Sequence, residues 1–317
     1  MTRTTKMNNI IEERYQICIS LYLIKKETDN KIREQGERGE DQSNYITLFT
    51  SPAFIKTHFG PFLSTPLYTE IETRIRHTGD TKCLARHENK LYSGNWDNTI
   101  HVWTAGTNTE SHETIAILRG HTDYVYCISI HENKLYSGSG DRTIRIWAAV
   151  TNTETYETIA ILRGHTDYVY CLAAFGNKLY SGSNDKTIRI WNTETYEEIA
   201  ILRGHFDWVW CLMLHENKLY SGSRDHTIRI WNTETYEEIA TLEGHDRGVW
   251  CLARHENKLY SGSSDETIRV WTAGTNTETY EEIAILRGHN EDVSCLTIRE
   301  NKLYSESGYN TIRIWKI

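Results

Sequence analysis

The sequence lacks a hydrophobic run long enough to cross a membrane as a helix. Its longest apolar run extends from Ile17 to Ile24, whereas a spanning helix needs about 20 predominantly apolar residues. A secretory hydrophobic segment followed by a cleavage site is also missing. Positive charge is in short supply, because 35 lysines and arginines are outnumbered by 43 aspartates and glutamates, for a formal net charge of −8. These absences predict a cytoplasmic or nuclear protein whose main partner is neither a nucleic acid nor a membrane.

What the sequence has in abundance is one repeated pattern, clearest in residues 120–147. Each copy ends in a short alternating segment that finishes in tryptophan, and these tryptophans follow one another at intervals of 44, 44, 40, 40 and 44 residues. They are Trp103, Trp147, Trp191, Trp231, Trp271 and Trp315. A period of about 40 to 45 residues is typical of β-propellers.

Within one copy the pattern predicts four short strands. Alternation at Val125 and Cys127 indicates the first strand, and Leu135–Ser137 and Thr143–Trp147 are the second and third, separated by a glycine-rich turn. Thr158–Leu162 is the fourth. Four strands of this length cannot bury both faces of their sheet alone, so the copies must stack on one another, and a radial stack closes on itself.

Three features of each copy together resemble the WD-repeat family: a Gly-His pair, a Ser-Gly-Ser-x-Asp turn and a strand that ends in tryptophan. The resemblance extends from about Arg76 to Ile317. It departs from the family pattern in that no aspartate follows the strand-ending tryptophan. The resemblance implies an all-β fold, a WD-repeat β-propeller in which residues 66–317 supply six blades.

Residues 1–65 differ from the clear copies and are predicted to form a degenerate seventh blade. Tyr15–Leu21 matches the first strand of the repeat, with Cys18 at the repeated cysteine position, and Tyr45–Phe49 has the alternation of a third strand. The highly charged residues 25–42 between them predict a solvated insertion. Seven blades are therefore favoured.

Two alternatives stay open for this region. The apolar residues within 9–35 also fit an amphipathic helix, which leaves a six-bladed propeller. The sixth copy has no fourth strand of its own, and in the WD-repeat family the N-terminal part of the chain supplies it. The resemblance implies Asn8–Glu12 for this strand if there are seven blades, and Leu67–Ile75 if there are six.

Each good copy contains a histidine, a serine, an aspartate and the tryptophan at matching positions. By resemblance to the family these four form a buried structural tetrad, in which hydrogen bonds run from the indole to the serine, the histidine and the aspartate. The tetrads are His121, Ser137, Asp141 and Trp147; His165, Ser181, Asp185 and Trp191; His205, Ser221, Asp225 and Trp231; and His245, Ser261, Asp265 and Trp271. In the sixth copy Tyr309 replaces the aspartate, so the last blade is expected to be the loosest.

No catalytic residue, metal site or cofactor is predicted. Histidine, serine and aspartate also make a catalytic triad, but a triad is needed once, in a pocket, and this set recurs in every good copy. Cys127 and His131 are four residues apart along a strand, about 13 Å, which is too far for two ligands of one zinc ion. The Ser137–Asp141 turn lacks the lysine and the helix start of a phosphate-binding loop.

Six of the seven cysteines each lie 20 residues before a strand-ending tryptophan. They therefore occupy equivalent places in separate blades, too far apart to pair as disulfides. Small buried core residues are the expected role of these cysteines, in keeping with a reducing compartment.

Aromatic residues beyond the repeated tryptophan mark the predicted binding surface. They lie three or five residues after the Gly-His histidine, or directly before the turn aspartate. In the WD-repeat family these places surround the mouth of the central channel on the top face, so the resemblance implies an aromatic surface there. The predicted contact residues are Trp96, Tyr124, Tyr126, Tyr168, Tyr170, Trp208, Trp210, Arg224 and Trp250. The alternative is that these side chains only seal the channel or pack under neighbouring loops.

The predicted function is a non-enzymatic scaffold that binds a protein or peptide partner on this top face. The protein is expected to be a monomeric propeller within a larger complex. Substrate receptor of a ubiquitin ligase, kinase-targeting subunit and G-protein β-like subunit all stay open. The alternative of another class is an enzyme with a single site lining the channel.

Overall fold

A computed structural model describes residues 81–87, 90–104, 114–149, 156–273, 280–299, 301–308 and 311–317. The predictions for residues 1–65 and Leu67–Ile75, and those that involve Tyr309, lie outside the described residues. Within the described part, every regular element is a β-strand, and no helix there is long and apolar enough to span a bilayer.

The described strands form six antiparallel sheets, five with four strands and one with three, and strands adjacent in the chain are adjacent in the sheet. The first three sheets are β1 Thr81–His87, β2 Lys90–Asn95, β3 Ile100–Thr104 and β4 Thr114–Leu118; β5 Val125–His131, β6 Lys134–Ser139, β7 Thr143–Ala149 and β8 Tyr156–Arg163; and β9 Val169–Phe175, β10 Lys178–Ser183, β11 Ile188–Asn192 and β12 Glu198–Leu202. The other three are β13 Val209–His215, β14 Lys218–Ser223, β15 Ile228–Asn232 and β16 Glu238–Leu242; β17 Val249–His255, β18 Lys258–Ser263, β19 Ile268–Ala273 and β20 Tyr280–Leu286; and β21 Val293–Arg299, β22 Lys302–Ser307 and β23 Thr311–Lys316.

The first two strands of a sheet are joined by a two-residue turn at the polar residues of the repeat. In the second sheet His131 pairs with Lys134, and the two residues between them, Glu132 and Asn133, have φ values of 47° and 59°. Left-handed values at both positions are those of a type I′ turn, whose twist matches that of the flanking strands. The turn therefore fixes the register of the hairpin.

A glycine in the second strand lets neighbouring sheets approach closely. A Cβ on Gly138 would lie 2.5 Å from the Sγ of Cys127 in its own sheet and 2.7 Å from a Cγ of Val169 in the next sheet. Both distances are too short for carbon. Gly94, Gly182, Gly222 and Gly262 have the same two neighbours in their own junctions.

The sheets lie side by side in chain order. The inner strands β1, β5, β9, β13, β17 and β21 contact one another in that sequence, and each core cluster is shared between two sheets. Ile146 of the second sheet packs with Val169, Leu179 and Trp191 of the third, and burial of one such side chain contributes about 1.5 to 3 kcal/mol. The predicted all-β repeat fold of four-stranded antiparallel sheets is confirmed, and the arrangement is propeller-like.

The sixth sheet is the exception in this series. Its described part ends with the third strand, β23, and Ile314 on that strand is 59% exposed. The residues at the same position in the second to fifth sheets are buried to between 0% and 5% exposure: Ile146, Ile190, Ile230 and Val270. Among the described strands, β21 does not pack against β1 in the way that it packs against β17. One face of the sixth sheet therefore has no described sheet to cover it.

Candidate partner-binding surface

The tetrad of the second sheet forms a continuous chain of hydrogen bonds. The indole N–H of Trp147 donates to Ser137 Oγ at 2.9 Å, and this oxygen lies 2.7 Å from His121 Nε2. On the other side of the ring, His121 Nδ1 is 2.8 Å from a carboxylate oxygen of Asp141. Since a carboxylate only accepts, Nδ1 carries a hydrogen. The chain joins the third strand, the second strand and two loops.

The next three sheets contain the same chain with nearly the same distances. The contacts from histidine Nδ1 to aspartate are 2.7 Å in each case, for His165 with Asp185, His205 with Asp225 and His245 with Asp265. The serine oxygens lie 2.7, 2.7 and 2.8 Å from the histidine Nε2 atoms, for Ser181, Ser221 and Ser261. The indoles of Trp191, Trp231 and Trp271 donate to those serines at 2.9 Å. Such regularity is that of a structural element.

The aspartates of the tetrads are held in their ionised form. Burial of the Asp141 carboxyl acts to raise its pKa, but the hydrogen bond and the positive charge of His121, with a hydrogen bond from Thr143, outweigh it and hold the pKa well below its usual range. The same holds for Asp185, Asp225 and Asp265. Because the serines of these sets are fully buried, no substrate could reach the hydroxyl.

The sixth sheet has an incomplete tetrad. Trp315 donates to Ser305 at 2.8 Å and His289 Nε2 lies 2.6 Å from the same oxygen, but His289 Nδ1 finds no hydrogen-bond partner in the described part of the chain. Burial and the nearby charge of Arg313 lower the pKa of His289 to about 4. The imidazole is therefore neutral at physiological pH.

Four of the predicted contact residues lie beneath the surface. Tyr126, Tyr170, Trp210 and Trp250 are only 5% to 7% exposed and belong to one cluster. The indole rings of Trp210 and Trp250 stack with centroids 3.7 Å apart, and Trp250 donates to the hydroxyl of Ser264 at 2.5 Å. These rings pack against one another at the inner ends of sheets two to five and form a floor.

The other predicted aromatic residues lie on this floor and are partly exposed: Trp96, Tyr124, Tyr168 and Trp208. In two cases the inner ring of one sheet stands next to the outer ring of the following sheet, with centroids 5.7 Å apart for Tyr126 and Tyr168 and 6.2 Å apart for Tyr170 and Trp208. Trp96 stacks on Tyr124 at 5.1 Å. We call these four residues with Arg224 the mouth surface.

Two of the tryptophans already hold cations of this chain. The ammonium of Lys82 lies 3.5 Å from the centre of a Trp96 ring, and the guanidinium of Arg224 lies 4.4 Å from that of Trp208. Arg224 is held in turn by Asp207, at 3.6 Å. A cation over an aromatic face is stabilised by about 0.5 to 2 kcal/mol. The best places for a ligand cation at these two rings are therefore occupied.

Sequence reasoning missed two residues of this region. Phe206, directly after the tetrad histidine, is 76% exposed; its signal was a lone aromatic where the other copies have threonine, aspartate or asparagine. Gly248 stands where the neighbouring copies have tyrosine or tryptophan, and a Cβ there would lie 2.3 Å from Cζ3 of Trp210. This glycine makes room for the Trp210 ring.

Other chemistry is not apparent in the described part of the chain. No group of three histidine, cysteine or acidic side chains is close enough to hold a metal ion there. The six described cysteines are free thiols, and only Cys211 is not fully buried. Burial raises the pKa of the Cys83 thiol to about 12, so this thiol is a poor nucleophile.

A family model described as "WD domain, G-beta repeat" matches residues 69–104, 112–148, 156–192, 196–232 and 236–272, which is more than half of the chain. This chain belongs to the WD40-repeat family. The predicted family membership is thus confirmed for five of the six copies recognised in the sequence. WD40 domains generally mediate protein–protein interactions and are generally non-enzymatic scaffolds.

Among many solved structures that match, the computationally designed Ika8 protein has a TM-score of 0.67 and 29% sequence identity. The match covers 76% of this chain and 72% of the designed chain. A comparison with curated proteins finds no match. The similarity thus supports the WD40 fold and leaves the partner to be argued from the surface.

Proposed function

We propose that this WD40 protein is a non-enzymatic scaffold that binds a partner peptide on the mouth surface, as a substrate-receptor or targeting subunit of a larger complex. The observation that carries the proposal is the layered aromatic arrangement. Rings that are partly exposed lie on a floor of buried rings, so a partner would meet a surface that is rigid before binding. Preformed aromatic surfaces of this kind are typical of interaction hot spots.

The contacts within the mouth surface favour a peptide with an apolar or aromatic anchor. Lys82 and Arg224 cover faces of Trp96 and Trp208, which disfavours a cationic anchor. Phe206 adds an exposed apolar ring two residues before Trp208. The buried Tyr126, with its counterparts in the next three sheets, would then support the contacts from below.

A pair of exposed phenylalanines provides a matched test. Phe206 precedes the inner strand β13 at the mouth, while Phe175, 65% exposed, ends the inner strand β9 at the opposite edge of the neighbouring sheet. We expect F206S combined with W208A to lose the partners captured by the wild-type chain, and F175S to retain them. Both variants should unfold at a temperature close to that of the wild type. If the mouth variant stays folded and captures the same partners, the assignment is wrong.

We further propose that the described sheets belong to a closed ring of seven, with residues 1–65 supplying the seventh, and that the protein acts as a single ring in the cytoplasm or nucleus. The uncovered face of the sixth sheet supports this, since Ile314 is exposed and β21 does not pack against β1 among the described strands. The 80 residues before β1 are long enough for one repeat of 40 to 44 residues. Six free cysteines fit a reducing compartment.

A further inference from the structure

Glu306 occupies the position in the sixth sheet at which the other five sheets have glycine. In those five sheets the glycine lies between a cysteine of its own sheet and the valine that begins the inner strand of the next sheet. A Cβ at the glycine would lie 2.7 to 2.9 Å from a Cγ of that valine in every case. The standard junction therefore has no room for a longer side chain, so the junction beside Glu306 must be built differently.

The carboxylate of Glu306 is part of the interior. The residue is 4% exposed, and the hydroxyl of Ser294 donates to its Oε2 at 3.0 Å. A buried carboxylate is costly unless it accepts hydrogen bonds. The strand that packs beside β21 should therefore present a hydrogen-bond donor where the other sheets have valine.

Two segments of the chain carry a polar residue at the valine position. Aligned on the repeated cysteine, Thr81 has this position in β1 and Gln16 has it in Tyr15–Leu21. The hydroxyl of Thr81 already donates to Asn95 of its own sheet at 3.1 Å, and β1 does not pack against β21 among the described strands. The carboxamide of Gln16 has two N–H donors, so Gln16 fits better.

We propose that Tyr15–Leu21 packs beside β21 as the inner strand of the next sheet, and that the Gln16 carboxamide donates to the buried carboxylate of Glu306. The pair makes this junction chemically unlike the others. A valine here would leave the carboxylate buried without that donor, and Gln16 in a glycine junction would bury an unpaired amide, so each mismatch disfavours the wrong docking. The inference rests on the seven-sheet ring and is independent of the mouth surface.

Cysteine pairs in the full-length chain test the contact. We expect Q16C with E306C to form an intramolecular disulfide, or a bridge through a short bismaleimide, in most molecules, and T81C with E306C to form none. The control G222C with V249C should bridge, because a Cβ on Gly222 would lie 3.2 Å from that of Val249, close to the roughly 3.5 to 4.5 Å of a disulfide. Peptide mass spectrometry assigns each bridge.

Three results of this experiment would overturn the proposal. A T81C–E306C bridge would show a six-sheet ring, and bridges between molecules would show that a second copy covers the sixth sheet. If the control pair bridges and neither test pair does, Gln16 is not beside Glu306.

Thermal unfolding of the same full-length chain gives a second measurement. We expect Q16L and E306L each to lower the melting temperature by several degrees, and E306Q to have a smaller effect because an amide can still accept from Gln16. E306G combined with Q16V rebuilds the apolar junction of the other sheets and should recover most of the loss. Strictly additive losses in the double variant would mean that the two side chains do not touch.

Discussion

Replacement of Ser181 by alanine tests whether the tetrads stabilise the sheets. Ser181 is fully buried; its oxygen accepts the indole N–H of Trp191 at 2.9 Å and lies 2.7 Å from Nε2 of His165. Alanine leaves both of these buried nitrogens without their partner. A buried polar group that loses its hydrogen bond costs about 1 to 3 kcal/mol, so S181A should lower the free energy of unfolding by about 2 to 5 kcal/mol.

Urea denaturation followed by tryptophan fluorescence measures this loss, and the sixth sheet supplies the control. Trp315 is only partly buried, so in S305A water can take over part of the lost hydrogen bonding, and we expect about half the effect of S181A. The dependence of unfolding on urea concentration should be the same in both variants. A loss below about 1 kcal/mol for S181A, or equal losses for the two variants, would refute the reasoning.

Three further predictions concern the floor and the acid stability of the protein. G248A should cost about 1 to 3 kcal/mol by overpacking and should alter the fluorescence of Trp210; an unchanged spectrum and stability would contradict the close approach. Stability should fall from pH 6.5 to about 4, because His289 is neutral in the fold with a pKa near 4 while its unfolded form takes a proton. It should fall again below about pH 4, where the depressed pKa values of the tetrad aspartates mean that the unfolded chain is protonated first; D185N should weaken only this second fall. Y309D places a carboxylate at the tetrad position of the sixth copy and should raise the pKa of His289, measurable by NMR titration, and remove the first fall; an unchanged pKa would show that His289 is not reached.

The strands and the tetrads could be predicted because local chemistry determines them. The turn residues after Val125–His131 adopt left-handed backbone angles that pair this strand with the next, and the interval between tryptophans determines how many such units follow. His121, Ser137 and Asp141 each need a buried partner, and their spacing recurs. Both signals lie within one repeat, so no knowledge of neighbouring sheets was needed.

The exposure of the aromatic residues could not be predicted in the same way. Alternation along the first strand places Tyr126 opposite Val125 and Cys127, which indicated a side chain directed to the channel. The structure buries both sides of this strand, because Tyr126 packs against Tyr168 and Tyr170 of the next sheet. How far a ring is covered depends on two copies at once, and a reading of single copies does not contain that information.

The positions that differ between copies follow from the same geometry. A tetrad meets the same surroundings in each sheet, so four of the described sheets can use identical residues. The inner rings instead meet one another: Trp210 stacks on Trp250 only because Gly248 has no side chain at the place where the preceding sheet has Trp208. A second tryptophan at residue 248 would occupy the space of Trp210. Variation at the floor is therefore a packing requirement, and variation that packing does not explain, as at the exposed Phe206, is where partner recognition should be sought.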